Sequence, residues 1–537
     1  MNTNIKLLFA TGILTLAVGC TDLDVPVSSQ YTKYPANEIA IQSKMANIYF
    51  KMKDCFGRRY MEAQALSSDE ETAVAYNGGW LDSYAYAHPS LHDYTYEEAT
   101  LDWMGVLGTG VVTANEVIYS GADVKYVAPA RAMRAFFEFI MMDCWGDVPI
   151  NDETVKGIDI RERQPRADVA RYIEKELLAI IPDLPTEVNG DNYGKPSKYM
   201  AEALLAKLYI NWPVYTAASV DQYDAATAKN EKLDDCIKLC DDIIKSGKFN
   251  LGSMAYRFKF APNNSDLNVE DFIYVMPYDT YTATGMQYGR AHSYKDVKSM
   301  NPSYYGMNLS NSGGGYMTMT PEFASLFNLP GDERNNCIIG DTVHVYDPTT
   351  LLPTSKVALD KSGKPLVLTK NITLIKQDNT LDVGDNLTGW RQGYRPIKFF
   401  VTNDDFKNGR NQSNDLPIFR YADILLEKAE AITRGGTATN GETAQSLFNQ
   451  IRSYVKAPTI DHNPTLQEIY EERGREFFDE NWRRNDMIRF GHFEDEYFPH
   501  YKGFPGANFD KTHRIFPIQK QDLNVNPRWK QNPGYIR

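Results

Sequence analysis

Two stretches of the 537-residue chain set aromatic rings beside short polar side chains and glycines. The first runs from Ser67-Ser68-Asp69-Glu70 to Tyr76-Asn77-Gly78-Gly79-Trp80. The second spans Tyr281, Tyr288 and Tyr316, with Gly313-Gly314-Gly315 just before Tyr316. A sugar ring offers C–H faces that stack on aromatic rings, and hydroxyls that pair with Asp, Asn, Arg or Gln. Asp69, Asn77 and Trp80 are therefore the candidate ligand residues of the first stretch, Tyr288 and Tyr316 those of the second. Gly78-Gly79 lets the chain turn tightly and present Trp80 on an exposed loop. Trp390-Arg391-Gln392-Gly393-Tyr394 repeats the mixture and adds Arg391 and Tyr394. Trp103, Trp145 and Trp482 fall inside helical patterns and belong to the core.

Bond-breaking chemistry has no comparable signature. There is no Gly-x-Ser-x-Gly elbow, no phosphate-cradling Gly-x4-Gly-Lys and no His-Glu-x-x-His. Asp69-Glu70-Glu71 supplies adjacent carboxylates, but a glycosidase needs two set apart across a cleft. Cys236 and Cys240 share a helical face, yet no neighbouring His or Cys completes a zinc set, so they read as buried structural thiols. The reading is a binding protein without catalytic residues, cofactor or metal.

Those candidates need a scaffold, and periodicity supplies one. Ala130 to Ile140 places apolar residues every three and four, with alanines where another helix can press close, and stops at Trp145-Gly146-Asp147-Val148-Pro149. Asp168 to Ile181, Lys198 to Ile210 and Leu233 to Lys245 repeat the pattern. Gly105, Gly108 and Gly110 read as a loosened helix start. Between Asn250 and Asp415 the character changes to Gly, Asn, Asp, Thr and Tyr, with strand-like runs at Phe272 to Met276, Leu366 to Leu368 and Pro396 to Val401. Helices resume at Ile418 to Ile432, Thr443 to Tyr454 and Leu466 to Phe490. Helix pairs with Ala and Tyr inside predict a mostly α chain, a tetratricopeptide-like scaffold with a large loop-rich insertion carrying short strands. A loop-rich insertion of that length is usually functional.

Composition narrows the class. Hydrophobic residues make up 42%, enough for a large core, and the net charge of −13 argues against a nucleic-acid backbone binder. Tyr (34) outnumbers Phe (25), as expected for many rings with one wet edge. Six cysteines are too few for a disulfide scaffold. The N-terminus has a basic start at Lys6, an apolar run from Leu7 to Val18, and small residues before Cys20, which is an export signal. It is too short to span a bilayer, and the small residues before Cys20 resemble a bacterial lipobox with Cys20 as the lipid-bearing residue.

Pro417 to Ala431 resembles the arginine-led, alanine-rich helix of the SusD/RagB family of outer-membrane nutrient-binding lipoproteins. Glu471-Glu472-Arg473-Gly474-Arg475-Glu476-Phe477, followed by Asn481 to Gly491, resembles its Glu-Arg…Arg-Glu…Arg…Asp-Leu-x-Arg-x-Gly signature. Phe516-Pro517-Ile518 and Gln531 to Tyr535 resemble its closing motifs, and Arg131 to Pro149 its first long helix. Charges interleaved with Phe477, Phe478, Trp482 and Phe490 must pair to be tolerated, so Arg475 and Asp486 are expected to be structural. The resemblance implies a signal peptide at 1–19, an N-terminal region of helical pairs at 20–250, a ligand-binding insertion at 251–415 and a C-terminal helical region at 416–537. It implies a cell-surface lipoprotein of the outer membrane that binds an oligosaccharide and lids a SusC-like TonB-dependent transporter, with sugar contacts from the two loop regions named above. A peptide or glycopeptide binder and, further off, a surface glycosidase using Asp69 or Glu71 are the alternatives.

Overall fold

The computed structural model describes residues 38–75, 86–152, 161–267, 269–293, 305, 309–311, 314–375, 380–384, 389–495 and 499–536. Helix α1 (Glu38–Tyr49) and α2 (Tyr60–Leu66) lead in, and α3 (Met104–Ile118) and α4 (Val124–Trp145) form the first long pair. Asp123 caps α4 by accepting the Lys125 N–H at 2.9 Å, and Gly146 ends it at φ 74°. The pair packs closely because Gly110 has no side chain. A Cβ there would fall 2.7 Å from the Phe137 ring. Gly105, Gly108 and Gly110 all lie in the first half of α3.

The scaffold continues with α5 (Arg166–Ile180), α6 (Lys198–Ile210) and α7 (Leu233–Lys245), within two residues of the periodicity. The C-terminal part adds α8 (Tyr421–Thr433), α9 (Ala444–Tyr454), α10 (Leu466–Phe477) and α11 (Arg483–Phe490). Capping boxes at Thr443/Ser446 and Thr465/Glu468 start α9 and α10. Each helix from α4 to α9 packs on its predecessor, α3 packs on α1, and α8 also packs on α10, so the apolar faces are buried by stacking.

Three sequence expectations change here. The run from Ile418 opens as a strand: β4 (Leu416–Arg420) pairs antiparallel with β2 (Phe272–Met276), and the helix begins at Tyr421. The helix expected from Leu466 to Phe490 breaks between Phe477 and Arg483, where Asp479 and Asn481 take positive φ of 61° and 68°. Of the expected run from Pro396 to Val401 only Pro396 is strand, in the pair Arg395–Pro396 against Ile338–Ile339. Of the remaining strands, β1 (Glu71–Ala73) pairs with β3 (Met317–Met319).

One apolar core draws on every region, from Phe136 and Leu204 through Tyr274 and Phe400 to Met487 and Phe516, with a smaller cluster between α8, α9 and α10. Trp103, Trp145 and Trp482 are all buried in the larger core, as their helical setting implied. Through it runs a network of buried ions. Arg420 reaches Asp271 at 2.7 Å, Glu476 at 2.9 Å and Glu480 at 2.7 Å. Arg473 joins Asp423 and Asp486, Arg489 joins Glu430 and Asp486, and Arg334 joins Asp332, Glu472 and Glu476. Lys398 donates to the carbonyls of Glu476 and Phe478, both at 2.9 Å, and to Glu480. Burial alone would raise the Glu430 carboxyl, but Arg489 and Arg434 outweigh it and hold it at about 2. Arg475 and Asp486 are both buried. Arg475 donates to the Leu326 carbonyl at 2.8 Å and pairs with Glu471 and Glu472.

Removing one member leaves its partners desolvated and uncompensated. Arg420→Ala is expected to lower unfolding stability by about 3–5 kcal/mol. Chemical denaturation of the purified variant reads this, and a loss below about 1 kcal/mol, the scale of a surface pair, would contradict the structural role.

Candidate functional site

Strand β1 leads into the site. Glu71 lies opposite Met319 and Ala73 opposite Met317, and Ala75 then bridges to Asp382. The chain is next described at Tyr86. Asn77 and Trp80 fall between those two points, outside the described residues, as does Cys20.

At Tyr86 the chain meets arginines that the sequence reading did not single out. Cys55–Arg59 forms one π-helical turn running directly into α2. Turns of this kind recur at functional sites. Gly57 makes the docking possible: a Cβ there would lie 2.2 Å from the Gly285 carbonyl oxygen, and the Gln287 N–H donates to Gly57 O at 2.9 Å. That close approach brings the short helix Tyr288–His292, and with it Arg290, beside Arg58 and Arg59.

These arginines surround one carboxylate. Arg58 donates to Glu62 Oε1 at 2.9 Å and to the Tyr86 hydroxyl at 2.9 Å, while Arg59 donates to Glu62 Oε2 at 3.0 Å. The Tyr316 hydroxyl donates to Glu62 at 2.5 Å, and Arg290 approaches Tyr316 OH at 3.4 Å and Glu62 at 4.0 Å. The rings of Tyr86 and Tyr316 lie 4.4 Å apart. Burial lowers the Arg410 guanidinium, and the charges of Arg290 and Arg58 nearby lower it further. Glu62 is fully buried, whereas Arg58 and Arg59 keep 24% and 29% of their side-chain surface in solvent. A guanidinium presents five N–H donors in one plane, so the exposed edges can donate to ligand oxygens. The Arg58-Arg59 doublet four and three residues before Glu62 was the available sequence signal, but its partners Arg290 and Tyr316 are remote in the chain.

The other expected ligand residues behave differently. Tyr288 is fully buried, its hydroxyl shared with Asn481 at 2.9 Å and its ring edge-on to Phe399. It is a core residue, which corrects the expectation of an exposed platform. Tyr316 is also buried (1% exposed), between Tyr86 and Glu62, so its ring is not open for stacking either. Asp69 is held by Arg483 at 2.6 and 2.7 Å and by Tyr470 at 3.2 Å. Its carboxylate ties the segment before β1 to α11, a structural pairing where the sequence suggested a sugar contact. Arg391 pairs with Asp360 at 2.8 Å. Tyr394 is half-buried, and its backbone carbonyl accepts from Met319 N–H and from the Thr318 hydroxyl, each at 2.8 Å. Tyr394 therefore flanks β3, the strand that follows Tyr316. Tyr281 remains an exposed ring of the second stretch. Cys236, Cys240 and Glu427 approach one another closely enough for a metal. All are buried, with Glu427 paired to Lys207 and Cys236 directed at the Ala206 carbonyl, as structural groups would be.

Residues 272–535 match the profile of the SusD family. The C-terminal half of the chain carries that family's profile. The chain is 23% identical over 426 residues to the starch-binding protein SusD of Bacteroides thetaiotaomicron, covering 76% of this chain and 72% of that protein. Its fold is shared with surface glycan-binding protein A of the same organism, at a TM-score of 0.70 and 19% identity over 93% of this chain and all (100%) of the other. The complex of such a protein with laminarihexaose superposes at 0.67 with 18% identity, covering 92% of this chain and 99% of that one. The arginine cluster joins the turn that leads into α2 to the short helix of the insertion.

Tyr288→Phe separates core from site. Losing the hydroxyl strands the Asn481 amide in the interior, so stability should fall by about 1–3 kcal/mol with ligand binding intact. Urea unfolding and glycan titration of the same sample check this; unchanged stability with lost binding would return Tyr288 to the ligand set.

Proposed function

We propose that this protein is a cell-surface glycan-binding lipoprotein, anchored in the outer membrane through Cys20, that captures an oligosaccharide for a SusC-like TonB-dependent transporter. No bond is made or broken in this reading. One observation carries it: the segment holding Asn77 and Trp80 is flanked by Ala75 and Tyr86, and Tyr86 is bonded to the partly exposed Arg58. Trp80 is assigned to stack on a sugar face, while Asn77, Arg58 and Arg59 serve its hydroxyls. The family relatives named for binding starch and laminarin support a saccharide ligand. The carboxylates once considered for hydrolysis are engaged elsewhere, Asp69 with Arg483 and Glu71 with no solvent exposure.

Affinity electrophoresis through gels containing starch, laminarin and a panel of other polysaccharides should retard the protein on at least one of them. Trp80→Ala should then weaken that binding at least about fivefold, the scale of one lost aromatic contact, while the melting temperature stays unchanged. Retardation by no polysaccharide, together with an oligopeptide co-purifying with the protein, would replace the saccharide with a peptide ligand.

A further inference from the structure

Away from the arginine cluster, three segments distant in sequence bring metal-type donors to one point in the interior. Glu71 comes from β1, His292 from the end of the short helix Tyr288–His292, and Asp479 from the turn between α10 and α11. Their donor atoms all lie within 4.8 Å of one another. His292 Nε2 is 3.1 Å from both oxygens of Glu71 and 3.7 Å from Asp479 Oδ1. Donors bound to one ion at about 2.0–2.2 Å sit roughly 3.0–3.6 Å apart at octahedral to tetrahedral angles, so the set is close to ligating geometry.

Burial makes the arrangement demanding. Glu71, His292 and Asp479 are 0%, 3% and 1% exposed. Among the described residues Glu71 Oε1 and Asp479 Oδ1 meet only His292 and each other's carboxyl, and both point into the cluster. A buried carboxylate oxygen without a donor is costly, and two facing each other are more so. Asp479 is also fixed in the left-handed region at φ 61°, and its N–H donates to Glu70 Oε1 at 2.7 Å. Strained backbone of this kind persists where surroundings over-determine it.

We propose that Glu71, His292 and Asp479 bind one divalent transition-metal ion, of the zinc or manganese type. One imidazole with carboxylates suits such ions, whereas calcium takes six to eight oxygens. Glu70 is the nearest further carboxylate, and Arg395, Lys398 and Arg483 are the cations around the cluster. Burial pushes Glu71 up to about 8 and Asp479 to about 7, and pushes His292 below its usual value. The ion would tie β1, the insertion and the α10–α11 turn together.

Full-length protein in detergent is stripped with chelator, reloaded with ZnCl2 or MnCl2 alone, desalted and assayed for metal by mass spectrometry. The expected result is about one ion per chain, a higher melting temperature on loading, and uptake unchanged in the Cys236→Ser/Cys240→Ser variant. Glu71→Gln and His292→Ala should each reduce uptake by tenfold or more. Negligible uptake by the wild-type protein, equal uptake in those variants, or uptake that follows the cysteine pair would each overturn the assignment. The wild-type and cysteine-variant arms decide the question even if the buried-site variants do not fold. Glycan retardation measured on stripped protein keeps this result separate from the binding function.

Discussion

A charge taken out of water must find a partner, and the architecture of this chain is organised around that requirement. Arg420, at the junction of β4 and α8, gathers Asp271 from before β2 and Glu476 and Glu480 from the end of α10 and the turn after it. Lys398 carries the same tie into the insertion, through Glu480 and the carbonyls of the α10–α11 turn. Arg483 reaches Asp69 and so joins the N-terminal β1 region to the C-terminal helices. None of these pairs is worth much against a well-packed apolar alternative, but breaking one leaves an ion with no solvent to accept it. The network therefore specifies which segments meet, and the surrounding apolar core stabilises their meeting.

That logic was visible in the sequence wherever periodicity or interleaved charge sufficed. Lys198–Ile210 and Leu233–Lys245 form helices over the predicted residues because the apolar spacing is strong and the breakers are Pro and Ser-Gly. Charges alternating with Phe477, Phe478 and Trp482 announced buried pairing before any partner was known. The break between α10 and α11 was hidden because Asp479 and Asn481 carry no glycine to mark their left-handed backbone. Ile418 read as helix because a strand leading directly into a helix shares its apolar residues with both patterns.

Site residues were less legible, for a different reason. Loop composition identifies residues able to touch a sugar without saying which way they face. Tyr288 has the composition of a ligand residue and the environment of a core one, since Asn481 and Phe399 reach it from remote segments. Arg58, Arg59 and Arg290 become a cluster only when Gly57 docks against Gly285. The same holds for Glu71, His292 and Asp479, where no two donors are close enough in sequence to form a motif. Tertiary proximity, not local pattern, is the information missing from the chain.

A scaffold locked by buried ions and a recognition edge made from loops should respond to ligand differently, because local opening follows local packing. Hydrogen exchange followed by mass spectrometry, with and without a polysaccharide that retards the protein, measures this directly. The amides of α8, α10, α11, β2 and β4 are predicted to exchange slowest and to stay unchanged on binding. Added protection should be confined to the segments around Arg58-Arg59, Asn77 to Tyr86 and Tyr281 to Arg290. Protection changes centred on α8 to α11, with none at the arginine cluster, would contradict the separation of scaffold from site.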